Sequence, residues 1–100
     1  MSAYFVADVD WHDEARHEKY LETFSAVLKK HGGRTLAADH NPRIVEGQWK
    51  LHTLVILEFR DMETLNKWYG SPEYAPLQLL REEGAVTNVV TLQGIPAPTD

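Results

Sequence analysis

Three groups of side chains in this 100-residue chain have types and spacings that suit chemistry. Glu46, Trp49 and His52 fall within one short stretch. A carboxylate beside an imidazole orients the ring and raises its basicity, as general-base work requires. The same residues also read as a turn at Glu46-Gly47, an aromatic cover at Trp49 and a polar strand end at His52, with no third group in sequence to complete the arrangement. Tyr20, Tyr69, Tyr74 and Arg81 make the second group, each on a stretch of helical periodicity and spaced to face a sheet or its rim. Tyrosine hydroxyls around one guanidinium suit a small carboxylate or enolate. Equally, the tyrosines fit a core in which each needs one hydrogen bond, with Arg81 paired to Glu58 or Glu46. The third group is an acidic, histidine-bearing corner of Asp8, Asp10, His12, Asp13 and His17. Asp13 and His17 stand one helical turn apart, but the corner lacks the His-x-x-x-His of a dedicated metal site, and acids at a helix start are expected from the dipole alone. No metal is assigned.

Composition narrows the classes. The length suits one domain, with residues 1–94 folding and residues 95–100 forming a tail poor in apolar side chains. Hydrophobic content of 43% and charged content of 25% are those of an ordinary globule. A net charge of -5 with scattered basic residues argues against nucleic acid. No apolar run is long enough to span a bilayer, and Met1-Ser2-Ala3-Tyr4 lacks the basic start of a secretory signal, so no membrane partner and a cytoplasmic location are expected. Without cysteine there is no thiolate nucleophile or thiolate metal site. Neither a Gly-x-Gly-x-x-Gly turn, a Walker-type loop nor a Gly-x-Ser-x-Gly elbow is present, so no cofactor is indicated.

The elements that must position these groups follow from periodicity. Tyr4 to Val9 reads as a first strand, with Phe5, Ala7 and Val9 on one face and Tyr4, Val6 and Asp8 on the other. A helix starts near His12 or Asp13 and stops at Gly32; Tyr20, Leu21, Phe24, Val27 and Leu28 form its buried stripe. Arg34 to Asp39 is a short strand that Asn41-Pro42 interrupts and Ile44-Val45-Glu46 is expected to resume. Leu51 to Phe59 is the central strand. It is apolar on both faces, with Leu54 and Ile56 opposite Val55, Leu57 and Phe59, so a cover is needed on each side. Asp61 caps a helix that ends at Gly70. Ser71-Pro72-Glu73 then opens either a helix containing Pro76 or a single turn before a helix from Pro76 to Gly84. Val86 to Leu92 is the last strand.

The order is β-α-β-β-α-β, the split pattern of an α+β, ferredoxin-like sandwich: a four-stranded antiparallel sheet with helices on one face. The uncovered face implies a homodimer with sheet packed on sheet.

Several motifs together resemble one family. They are Gly32-Gly33-Arg34, Glu46-Gly47-x-Trp49, Leu57-Glu58-Phe59, Trp68-Tyr69-x-Ser71-Pro72-Glu73-Tyr74 and Leu80-Arg81. The chain from Tyr4 to Gly94 is similar to the bacterial domain-of-unknown-function 1330 family, within the dimeric α/β-barrel superfamily. The resemblance implies a ferredoxin-like protomer and a dimeric α/β barrel, and no particular reaction. His40-Asn41-Pro42-Arg43 departs from the Gly-rich turn expected there.

The expected function is binding of a small apolar acid or phenol between sheet and helices. His52 and Glu46 are the candidate catalytic residues, and Tyr20, Tyr69, Tyr74 and Arg81 the ligand-binding ones. Such a protein would act, as a cofactor-independent enzyme, by proton transfer or oxygen chemistry. The alternative is a non-catalytic binding or structural dimer module.

Overall fold

A computed structural model describes residues 1–96, so residues 97–100 of the expected tail lie outside the described residues. Seven elements follow in order: β1 (Ala3–Trp11), α1 (Glu14–Lys30), β2 (Arg34–Asp39), β3 (Thr53–Phe59), α2 (Met62–Tyr69), α3 (Ala75–Gly84) and β4 (Ala85–Gln93). The strands form one antiparallel sheet in the order β2-β3-β1-β4. This is the expected α+β ferredoxin-like arrangement. The sheet of one chain is open, with β2 and β4 as its edges, so the barrel anticipated from the family is not closed within a protomer.

Alternation divides the sheet cleanly. Ala3, Phe5, Ala7 and Val9 of β1 and Leu57 and Phe59 of β3 are buried beneath the helices. Leu65 and Trp68 of α2, Leu28 of α1 and Leu77 of α3 complete the core. Trp68 is its centre, with Phe5 edge-on at 5.2 Å, Phe59 at 5.2 Å and Tyr74 at 4.3 Å between ring centroids. Large aromatic rings in such offset and edge contacts dominate the burial energy of a small domain.

Local chemistry explains the ends. Asp13 caps α1 by accepting from the Arg16 amide at 3.1 Å, and Asp61 caps α2 by accepting from the Thr64 amide at 2.8 Å. At the other end of α1 the Gly33 amide donates to the Leu28 carbonyl (2.9 Å) and the Gly32 amide to the Lys29 carbonyl (3.0 Å). This is a Schellman stop, and it needs the left-handed φ of +78° that Gly32 supplies. Gly33 is fixed for another reason. A Cβ there would lie 2.5 Å from Leu28 Cδ1 and 2.5 Å from Phe59 Cε2.

Two expectations are corrected. Ile44-Val45-Glu46 does not resume β2; residues 40–52 form an irregular loop, since Pro42 has no amide to donate and Val45 has no strand beside it. Leu21 lies outside the buried stripe of α1, which runs through Tyr20, Phe24, Val27 and Leu28. After β3 the two expected helices form, and of the alternatives at Ser71-Pro72-Glu73 the single turn holds, with α3 running from Ala75 to Gly84. Ser71 separates them: its hydroxyl donates to the Trp68 carbonyl (2.8 Å) and accepts from the Tyr74 amide (3.1 Å), and Pro76 sits in the first turn of α3, where its missing amide costs nothing. Among the described residues no helix is long and apolar enough to cross a membrane.

Candidate functional site

The Ser71 turn places Tyr74 at the N-cap of α3, and Arg81 follows on the same helical face two turns later. Tyr69 ends α2, and Tyr20 reaches over from α1. These four residues come together between helices and sheet. The Tyr20 and Tyr74 hydroxyls stand 3.1 Å apart, and Gln78 Nε2 donates to the Tyr69 hydroxyl at 3.2 Å. Beside them a cleft of about 360 Å³ opens between α3 and β4, lined by Tyr69, Arg81, Glu82, Ala85, Thr87 and Val89.

Arg81 dominates the electrostatics of this cleft. It is only 6% exposed, yet it has no carboxylate partner among the described residues. Glu58, nominated from sequence, is held by Arg34 at 2.8 Å, and Glu82 accepts from Gln78 at 3.1 Å. Burial works against the charge on Arg81. Tyr74, then Tyr20 and Tyr69, act the other way through charge and hydrogen bonding and hold its pKa above the ordinary arginine value. Tyr20 is pushed far up by burial and by Tyr74, with Arg81 pulling the other way, so its hydroxyl keeps its proton. Arg81 Nε and Thr87 Oγ1 are buried without a protein partner. Both belong to residues that line the cleft, although neither atom is itself exposed in it, and buried polar groups left unpaired are unusual. The cleft therefore offers a guanidinium beside the Tyr69 hydroxyl, with the Glu82 carboxylate, engaged by Gln78, also in its lining; a guanidinium beside a hydroxyl can stabilise an oxyanion.

His52 lies on the other face of the sheet. Its backbone amide donates to Asp8 Oδ1 at 2.7 Å, its Nδ1 meets Asp8 Oδ2 at 3.1 Å, and its Nε2 lies 3.5 Å from Asp10 Oδ2. The hydrogen bond to Asp8 and the charge of Asp10 raise its pKa against a smaller opposing effect of burial. Glu46, the carboxylate proposed from sequence, sits instead on the irregular loop in a groove with Arg43, Val45 and Trp49. The structure thus brings together Tyr20, Tyr69, Tyr74 and Arg81, and separates them from both His52 and Glu46. Asp13 serves as a cap and His17 stacks on Trp11 at 4.6 Å. Among the described residues no group of His, Asp and Glu is arranged to hold a metal.

Sequence reasoning missed Gln78 as the partner of Tyr69, Thr87 among the residues of the cleft, and Asp8 as the partner of His52. The signal for Asp8 was present: a charged residue in an apolar central strand, on the same face as Tyr4 and Val6. Thr87 carried none, because a threonine in a strand is ordinary.

No curated protein matches the chain by sequence. Solved structures match its fold. A protein of unknown function from Rhodopseudomonas palustris superposes with a TM-score of 0.74 at 12% identity, over 96% of this chain and 84% of that one. A dimeric ferredoxin-like protein of unknown function from a Jannaschia species gives 0.67 at 13% identity, over 94% and 100%. SnoaB, a cofactor-independent oxygenase from Streptomyces nogalater, gives 0.65 at 12% identity, over 99% and 98%. Identities this low speak for the fold alone. The family is settled by sequence over nearly the full length: residues 2–95 match the domain of unknown function DUF1330, and the chain belongs to that family.

Proposed function

We propose that the protein binds a small organic anion, an apolar carboxylate or a phenol or enol in its ionised form, in the cleft between α3 and β4. One observation carries this reading: a guanidinium 6% exposed that faces hydroxyls rather than a carboxylate. A buried charge left without a counter-ion is costly, and an anionic ligand is the partner that would repay it. Tyr69 supplies a hydroxyl at the wall, and Ala85 and Val89 apolar surface. Such a site favours the enolate or phenolate of its ligand, the form from which proton transfer or reaction with dioxygen proceeds. His52 and Glu46 take no part in it. Thermal-shift screening with aromatic and keto acids tests the reading. A binder at about a hundred times its dissociation constant adds about 2.7 kcal/mol, which is several degrees for a domain of this size. If no acid raises the melting temperature, or if Arg81→Met responds equally well, the anion site is lost.

The same reading includes a homodimer assembled through the open sheet face. The chain exposes 7094 Å², against about 5,800 Å² expected of a compact 11.4 kDa monomer. That excess is more than the roughly 800 Å² per partner of a stable interface. The uncovered face carries a row of Val90, Val6, Ile56 and Ala37 across all four strands. The Jannaschia protein of the same fold is dimeric, in keeping with this. Sedimentation at micromolar concentration tests it; a single 11.4 kDa species would end it.

A further inference from the structure

We propose that the loop of residues 40–52 belongs to the surface on which the second copy sits, and that the contact of His52 with Asp8 and Asp10 makes the assembly tighten in acid and loosen in base. The inference rests on the homodimer reading above and adds to it a piece of the interface and a means of control.

The loop continues the open face of the sheet. Trp49 and Leu51 form, with Val6, Leu54 and Val90 of the sheet, a groove of about 400 Å³ that has Asp8 in its wall. On the other flank, Trp49, Leu51 and Leu54 meet Ile44 and Val45 in a second groove of about 330 Å³. Both grooves are open to solvent and mainly apolar in their lining. Val45 is 83% exposed and Trp49 62%, so the apolar strip runs past the sheet onto the loop with nothing over it. A second copy related by a twofold axis presents the same strip and would cover both.

Charge then decides how the cover depends on pH. Next to the apolar row lies a row of Asn88, Asp8, Leu54 and Asp39, and beyond it Val86 beside Asp10. Around His52, β1 presents Asp8 and Asp10, and β2 presents Asp39 followed by His40, whose Nδ1 meets Thr53 Oγ1 at 3.1 Å. The loop adds Lys50 beside the groove and Arg43 and Glu46 farther out. On this face β4 contributes Val86, Asn88, Val90 and Leu92, none of them charged. At the far end of the face, Glu58 is already matched by Arg34. The part of the face beside the apolar row is therefore acidic, and the protonated imidazole is the group that bridges Asp8 and Asp10.

A second copy would strip the remaining water from Asp8 and Asp10 and bring a like set of acids close. Ions taken out of water need their counter-ions more. Assembly and proton uptake at His52 are then linked: the dimer holds the proton more tightly than the separated chains. The pKa of His52, already raised by Asp8 and Asp10, rises further on assembly, so the added affinity is present at low pH and disappears as pH climbs through the dimer value.

Sedimentation equilibrium on the full chain at about pH 6 and about pH 9, either side of a raised imidazole pKa, reads this directly. The dissociation constant of the native dimer should rise at least about tenfold between the two, that of His52→Gln should stay flat, and that of Asp10→Asn should rise less. Trp49→Ala, a change at an exposed side chain, should weaken association at both pH values and leave the ratio between them unaltered. A native dimer equally tight at both pH values, or a His52→Gln protein that keeps the slope, overturns the pH control while the dimer stands. An unchanged constant for Trp49→Ala removes the loop from the interface. A monomer throughout disposes of the dimer and of this inference together.

Discussion

Among the described residues two charged side chains are buried, one on each side of the same sheet, and they are treated in opposite ways. Asp8, 9% exposed, faces away from the helices and is fully answered: His52 brings both its amide and its ring to the two carboxylate oxygens. Arg81, on α3, lies on the helix side and has tyrosine hydroxyls beside it rather than a carboxylate, with its Nε left over. A charge compensated by the chain itself serves the chain, fastening the end of a long irregular loop to the central strand. A charge the chain leaves uncompensated costs stability in the free protein, and such costs persist at sites that meet something else. The site that looks more like catalytic machinery in sequence, an imidazole with a carboxylate, is on this argument the structural one.

Removing each charge should separate the two cases. Asp8→Ala takes away the acceptor of the His52 amide and the counter-ion of its ring, leaving a donor without a partner near the sheet. A loss of about 2–3 kcal/mol is expected, read as a fall of at least about 8 °C in the melting temperature. Arg81→Met is the opposite case. The methionine fills a similar volume, the Tyr20–Tyr74 and Gln78–Tyr69 hydrogen bonds survive, and a desolvated charge is gone. Stability should hold or rise by about 1 kcal/mol, while affinity for any acid found by screening falls about a hundredfold. If instead Asp8→Ala is silent and Arg81→Met collapses the fold, the two roles have been assigned the wrong way round.

Much of the frame was legible in the residues because it depends on local signals. Period-two alternation separated the two faces of β1 and β3, the Asp61 cap marked the start of α2, and Gly32 marked the stop of α1. The convergence of Tyr20, Tyr69, Tyr74 and Arg81 was also within reach, since helical spacing sets three of them on faces that meet the sheet. Partnership was not. Glu46 is six residues from His52 in the chain and Asp8 is forty-four, and only the pairing register of β1 with β3 reveals which one is adjacent. The loop from His40 to His52 was misread for a related reason: Ile44-Val45 has strand-like residues, but a strand needs a neighbour, and β2 is already the sheet edge.

The smallest expected effect bears on how Arg81 tolerates its burial. If the tyrosine hydroxyls act as a fixed solvent for the guanidinium, each should matter only while the charge is there. Tyr20 is the cleanest probe, because burial keeps its hydroxyl protonated and the ring can stay in place. Tyr20→Phe in the native chain removes its hydrogen bond with Tyr74 and one dipole near Arg81, and should cost about 1 kcal/mol. In an Arg81→Met background the dipole has no charge to serve, so the same change should cost about half as much, a coupling near the 0.5 kcal/mol that neighbouring residues show. Chemical denaturation of the four proteins closes this cycle. A coupling of zero would mean that the hydroxyls merely satisfy one another, and the stability of a buried, unpaired Arg81 would then need a source other than the tyrosines around it.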